Sequence, residues 1–252
     1  MFASTFVNSI EITFAKVEGG SFLQGVVGVD ALARDNEKPA HWSQVKPFYM
    51  SVYPITQKEY MKIMYINPSY FSKEGGGCAY VQDMDTADFP VESVSWDDAM
   101  EFCKRLSSIA SEKEKGHYYR LPTESEWEFA CRAGNNTIFA NGDSFTSNDA
   151  NINAHYPYKS IVIGKTLNRP CSVGLYKPNR FGLYDMHGNV WEWCIDTYKT
   201  YDSNIVQNTD ARIARGGSWN CYSRFCRASY RCINHRTNRF YDCGFRIVCD
   251  IR

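Results

Sequence analysis

Residues 181–194 read FGLYDMHGNVWEWC, followed by RGGSW at 215–219 and GFRIV at 244–248. Outside the helices marked elsewhere in the chain, the pattern is one of short strands and long loops. The plain alternative to a site in this stretch is that Trp191 and Trp193 are core aromatics and Glu192 merely pairs with an arginine.

Regular elements lie on both sides of this stretch. Thr56 with Glu59 forms a capping box that opens TQKEYMKIM, with Tyr60, Ile63 and Met64 on one face. Ser95 with Asp98 opens SWDDAMEFCKRLSSIA, where Ala99, Phe102, Cys103 and Leu106 follow the i, i+3, i+4, i+7 pattern. Thr123 with Glu126 opens TESEWEFACRAG, and Gly134 is placed to end it. Alternating Ile10, Ile12 and Phe14, residues 48–52 and residues 245–248 are strand-like. Residues 135–179 carry Gly, Asn, Ser and Pro throughout and show no period, which predicts one long functional or ion-supported loop. There is no repeat and no linker, so residues 1–252 read as a single domain.

Lys plus Arg and Asp plus Glu both number 28, so no global field favours nucleic acid or an anionic membrane. No apolar run is long enough to cross a bilayer. Membrane attachment is expected only through a lost leader or a lipid anchor. The ten Cys include no C-x-x-C and the five His are far apart, so a zinc site is not expected. Aromatics reach 15%, which suits either a binding face or loops plugged by rings.

Seven segments together, in one order, resemble the formylglycine-generating-enzyme or sulfatase-modifying-factor family: VEGGSFLQG near 17, YPITQKEYMKIM near 53, PVESVSWDDAMEFCKRLS near 90, YRLPTESEWEFACRAG near 119, and the three stretches quoted first. The resemblance implies an α+β, C-type-lectin-like fold with few regular elements and long ordered loops. It implies a calcium-type ion at Asp185, Gly188, Val190 and Glu192, a ligand set of side-chain and main-chain oxygens that suits a hard cation. Asn151 resembles part of a second ion site. The enzymes of the family use copper with two cysteines after RGGS, and Cys221 and Cys226, with Ser218, fall at the matching places. Soft thiolates suit Cu(I).

Residues 220–243 read NCYSRFCRASYRCINHRTNRFYDC and contain no Lys, Glu, Gln, Met or Trp. Those types make up about one residue in five of the preceding chain. Randomising the adenines of a pyrimidine-ended Asn codon makes the same five unreachable. Here the chain resembles the variable proteins of diversity-generating retroelements, the Treponema variable proteins among them, whose variable stretch lies between RGGSW and GFR. The resemblance places a variable region at 219–246. Arg227, Arg231, Arg236, Arg239 and Arg246 are expected to be fixed and to brace loops rather than touch ligand. The alternative is a family stretch naturally rich in Asn and Arg.

The expected ligand-binding residues are Asn220, Cys221, Tyr222, Arg224, Phe225, Tyr230, Cys232, Ile233, Asn234, His235, Phe240, Tyr241, Asp242 and Cys243. Their mixture of rigid aromatics and small polar groups resembles an antibody paratope. The expected function is display of a diversified surface to a protein ligand, on another cell for instance, with the chain at the cell surface or outside the cell. The alternative is a copper-dependent oxidase acting on a sulfatase cysteine through Cys221 and Cys226.

Overall fold

A computed structural model describes residues 4–202 and 209–251. The three capping boxes form as expected. Thr56, Ser95 and Thr123 each accept the backbone N–H three residues on and start α1 (Gln57–Met64), α2 (Trp96–Ser107) and a later helix, Glu124–Arg132. A short α3 (Ala110–Glu114) intervenes, so the helix opened by Thr123 is α4. It ends on a left-handed Ala133, one residue before Gly134.

The largest sheet has five strands in the order β1 (Thr5–Val7), β2 (Thr13–Val17), β5 (Phe48–Ser51), β11 (Val248–Ile251), β6 (His117–Arg120). It joins both ends of the described chain, and every pairing in it is antiparallel. A hairpin of β3 (Gly20–Gln24) and β4 (His41–Val45) packs near α4. The functional sheet has the order β10 (Cys243–Gly244), β7 (Trp191–Thr197), β8 (Ala211–Arg215), β9 (Cys232–His235).

Two sequence expectations shift. The Ile10–Ile12 alternation falls on the β1–β2 turn, where Glu11 is left-handed and Asn8 Oδ1 accepts the N–H groups of Ile10 and Ile12. The last strand begins where 245–248 was expected to end. Phe245 and Ile247 still offer their carbonyls to Ile55 and Ser51, and Ser51 Oγ replaces a ladder partner for the Ile247 N–H. Residues 135–179 hold no helix or strand, as expected, but only isolated bridges such as Phe145 with Tyr158.

The core takes in part of the 220–243 stretch: Tyr230 and Cys243 in the main cluster and Ala228 and Cys226 in smaller ones, with Cys221, Phe225 and Cys232 packed against it. Phe14, Ile55, Tyr60, Phe102, Leu106, Leu121 and Trp193 form its main cluster between α1, α2 and the large sheet. A second cluster centres on Trp127, Met50 and Ile213. Trp191 and Trp193 are core aromatics, as in the plain alternative above.

Candidate functional site: the face built by residues 216–246

β8 delivers the chain to Gly216 and Gly217, both left-handed. A Cβ at Gly217 would land on Cys226 Sγ, so only glycine lets the segment fold back this closely. The chain then makes a tight turn at Ser223–Phe225, returns as edge strand β9, and loops to β10, which pairs in parallel with Trp191 and Glu192 of β7. Both ends of the segment are therefore held by the sheet that carries the FGLYDMHGNVWEWC turn.

Within the segment, burial sorts the residues. Asn220, Arg224, Ile233, His235, Phe240 and Tyr241 are exposed, and Cys221, Tyr222, Phe225, Cys232, Asn234 and Asp242 are half-buried. Arg227, Ala228, Ser229, Arg231, Gly244, Phe245 and Arg246 are buried between them. Two expected ligand contacts need correction. Cys243 is fully buried because β10 lays it against Trp191, and Tyr230 is 5% exposed because its ring packs on Trp191 at 5.8 Å. Cys243 belongs to the framework, and Tyr230 can only floor a cleft.

The five arginines expected to brace the loops each meet a carboxylate. Arg227 is bidentate to Glu37 at 2.7 Å and also reaches Asp30 and the Leu32 carbonyl. Arg231 is bidentate to Glu124 and donates to the carbonyls of Asn36 and Lys199. Arg236 pairs with Asp97 and Arg239 with Asp98, both carboxylates in the first turn of α2. Arg246 is bidentate to Glu192 at 2.7 and 2.8 Å and donates to Ser51 and Tyr184 carbonyls. A sixth, Arg215 of RGGSW, is fully buried against Glu128 and the Tyr230 carbonyl. Such fork-shaped pairs fix geometry as well as charge.

The aromatic side chains of the face gather in two groups. Tyr222 stacks near Tyr156 (4.2 Å between centroids) and Phe225 (6.2 Å), and Phe225 meets Tyr230 edge-on at 5.3 Å. Tyr241 packs beside Tyr70 and Trp219, each at 5.7 Å, and Trp219 meets Phe71 at 5.4 Å. Tyr70, Tyr156 and Arg34, which come from loops far away in sequence, were not expected here. No local pattern marks them, because only the fold brings them within reach of residues 219–241.

Ser218, Cys221 and Cys226 do come together. Ser218 Oγ lies 3.2 Å from Cys221 Sγ and 2.8 Å from Asp242 Oδ2, and both cysteines pack in one small apolar cluster with Phe139, Phe145 and Ile152. Burial pushes the Cys221 thiol up to about 12, ahead of the nearby Asp242 carboxylate and against the Ser218 hydroxyl. Burial, then Cys221 beside it, raises the Cys226 thiol well above its usual value. Both are neutral thiols at neutral pH, and all ten cysteines are unpaired. The donors suit a soft ion in kind.

The turn expected to hold a hard cation is curved as expected, with left-handed Asp185, Gly188 and Asn189. Glu192, however, takes Arg246 on both oxygens and the Trp127 indole N–H at 2.6 Å, which is the arginine pairing of the plain alternative. Asp185 accepts the Gly174 N–H at 2.8 Å, and burial lifts its carboxyl to about 6. Asn151 Oδ1, on the facing loop, is buried without a hydrogen-bond partner among the described residues. The fit to an ion is partial: the backbone and Asp185 suit it, and Glu192 is already neutralised. Among the described residues no three His, Cys, Asp or Glu side chains are grouped to share a metal.

Few regular elements, a sheet that closes on the chain ends, and long ordered loops presented on one face define a C-type-lectin-like domain. Residues 9–251 match the model of the sulfatase-modifying factor enzyme 1-like domain, and the chain belongs to that family. It is 27% identical to the inactive C-alpha-formylglycine-generating enzyme 2 of Bos taurus over 84% of this chain and 78% of that one. It is 25% identical to the formylglycine-generating enzyme of Streptomyces coelicolor over 93% and 88%. Its fold is shared with PvdO from Pseudomonas aeruginosa (TM-score 0.77, 23% identical, 99% of each chain) and with Treponema denticola variable protein 1 (TM-score 0.76, 22% identical, 98% of each chain).

Proposed function

We propose that this protein is a display scaffold whose C-terminal segment, residues 219–246, is a diversified recognition surface for a protein ligand, presented at the cell surface or outside the cell. One observation carries the reading. Twelve of the fourteen positions expected to meet a ligand, all but Tyr230 and Cys243, are exposed or half-exposed, while Arg227, Arg231 and Arg246 are buried on carboxylates and Arg236 and Arg239 pair with carboxylates nearer the surface. On this reading diversity falls on side chains at or near the surface. The fold likeness to a variable protein is compatible with this, but PvdO shares the fold equally, so the segment itself has to decide.

Sister copies of the gene test the proposal. Substitutions are expected at Asn220, Cys221, Tyr222, Arg224, Phe225, Cys232, Ile233, Asn234, His235, Phe240, Tyr241 and Asp242, with Arg227, Arg231, Arg236, Arg239 and Arg246 unchanged. Substitutions spread evenly over the chain, or Lys and Glu appearing in the segment, would refute it.

The juxtaposition of Ser218, Cys221 and Cys226 favours a second reading, a copper-dependent formylglycine-generating oxidase acting on a sulfatase cysteine. Cys221 and Cys226 would hold Cu(I), and the ion would supply oxygen-dependent oxidation of the substrate thiol. Calorimetric titration separates the readings. The display reading expects Cys221→Ser to leave metal uptake unaltered. Stoichiometric Cu(I) uptake lost in Cys221→Ser, together with conversion of a sulfatase peptide, would establish the oxidase. A calcium-type ion at Asp185 and the main-chain oxygens of Gly188 and Val190, sharing Glu192 with Arg246, would appear in the same titration as oxygen-ligand binding insensitive to Cys221→Ser.

A further inference from the structure

We propose that the cleft between Arg34 and Arg224 is a carboxylate subsite, through which the recognition face takes an acidic side chain or a free C-terminus of its protein ligand. This rests on the proposed function only in treating that face as the one that meets the ligand.

The cleft measures about 90 Å³ and is lined by Leu32, Arg34, Arg224, Phe225, Arg227 and Tyr230. Three guanidiniums surround it, and two carboxylates, Glu37 and Asp30, lie behind it on Arg227. Among the described residues Arg34 and Arg224 have no ion-pair partner. The pocket therefore carries a surplus of positive charge at its mouth. Both free guanidiniums are positioned by aromatic rings: Arg224 lies 4.5 Å from the Phe225 centroid, and Arg34 lies 5.0 Å from Tyr230 and 5.8 Å from Phe225. A ring contact uses no N–H donor, so each guanidinium keeps its donors for a planar, two-oxygen acceptor. A water-sized group takes about 30 Å³. The cleft thus has room for a carboxylate.

The two cations differ in origin. Arg34 lies outside the variable segment, and its backbone N–H donates to Glu37 at 3.0 Å, the same buried carboxylate that anchors Arg227. Its backbone is set by the framework, and Tyr230, which is buried, is the ring nearer its guanidinium. Arg224 is exposed and belongs to the variable set. The framework thus gives every version of the face one cation for an acid, and the residue at 224 tunes how tightly it is held.

The test uses the full chain and follows the side-chain Nε–H signals of Arg34 and Arg224 by NMR during titration with N-acetylglutamate α-amide, its glutamine isostere and N-acetylglycine. Saturable shifts with the glutamate probe are expected, with binding weaker by about tenfold for the uncharged glutamine probe, the loss typical of one charge-assisted pair. Arg34→Gln should bring a similar loss at unchanged melting temperature, since Arg34 holds no ion pair. Arg224→Gln, at an exposed position that the fold does not use, should do the same. Tighter binding of N-acetylglycine than of the glutamate probe would assign the subsite to a chain terminus, and the reverse to a side chain. Equal response to the glutamate and glutamine probes, or full binding by either folded variant, would overturn the subsite. That failure would leave diversification among sister copies untouched. Uniform sister copies with an intact subsite would instead sink the display reading alone.

Discussion

Glu37 is fully buried, and its oxygens accept both Arg227 Nη atoms and Ser229 Oγ at 2.7 Å, and the Arg34 N–H. Breaking one side of a buried, hydrogen-bonded ion pair leaves an uncompensated charge and costs about 3–5 kcal/mol. Glu37→Gln should therefore lower unfolding free energy by about that amount in urea denaturation. Ile233→Thr, on the edge strand and 40% exposed, should stay within about 0.5 kcal/mol of the parent. Comparable costs for the two would mean that the face, and not only its braces, holds the fold. The bracing role of the five arginines was legible only through the family resemblance, since residue type alone does not separate them from Arg224 in the same stretch. Their partners were not, since Glu192 lies 54 residues from Arg246 and Glu37 lies 190 from Arg227. Arg34 was missed for the same reason.

Helices α1, α2 and α4 were readable because a capping box is a local chemical signal, satisfied within four residues. The last strand and the first hairpin were misplaced because both depend on side chains that stand in for backbone partners, Ser51 at Ile247 and Asn8 at Ile12. Helix α3 was not seen. Five residues are too few to form a helix unaided, and tertiary contacts hold it: Glu112 accepts the Ser9 N–H at 2.8 Å, His117 Nδ1 at 2.7 Å, and the Tyr119 hydroxyl. Burial alone would raise the Glu112 carboxyl, but these donors outweigh it and hold it down to about 2. A carboxylate depressed in the folded state contributes stability that is complete above its unfolded pKa and is lost as pH falls through the folded one. The contribution of Glu112 should fade from about pH 4.5 towards 2, the interval between a free glutamate and this one. Melting curves of the parent and Glu112→Gln should converge over that interval. A constant difference down to pH 2 would contradict the assignment.

At the scale of the molecule, the segment 219–246 is suspended between β8 and β10 and tied by arginines to the β3–β4 region, to α2, to α4 and to β7. The core clusters of Phe14, Phe102 and Trp193 and of Trp127 and Ile213 are built mostly from other elements, and the segment adds to them Ala228, Tyr230, Cys243 and Phe245, none of them among the exposed positions. Such a framework can keep its packing while the side chains on one face are exchanged. The most direct measurement is thermal unfolding of a panel in which Asn220, Tyr222, Arg224, Ile233, Asn234, His235, Phe240 and Tyr241 are replaced together by residues from pyrimidine-ended codons. The account predicts cooperative transitions within a few degrees of the parent for most members, the spread expected when changes of about 1 kcal/mol or less remain in a chain of this size. Loss of cooperative folding across the panel, with the arginines and their carboxylates intact, would contradict it.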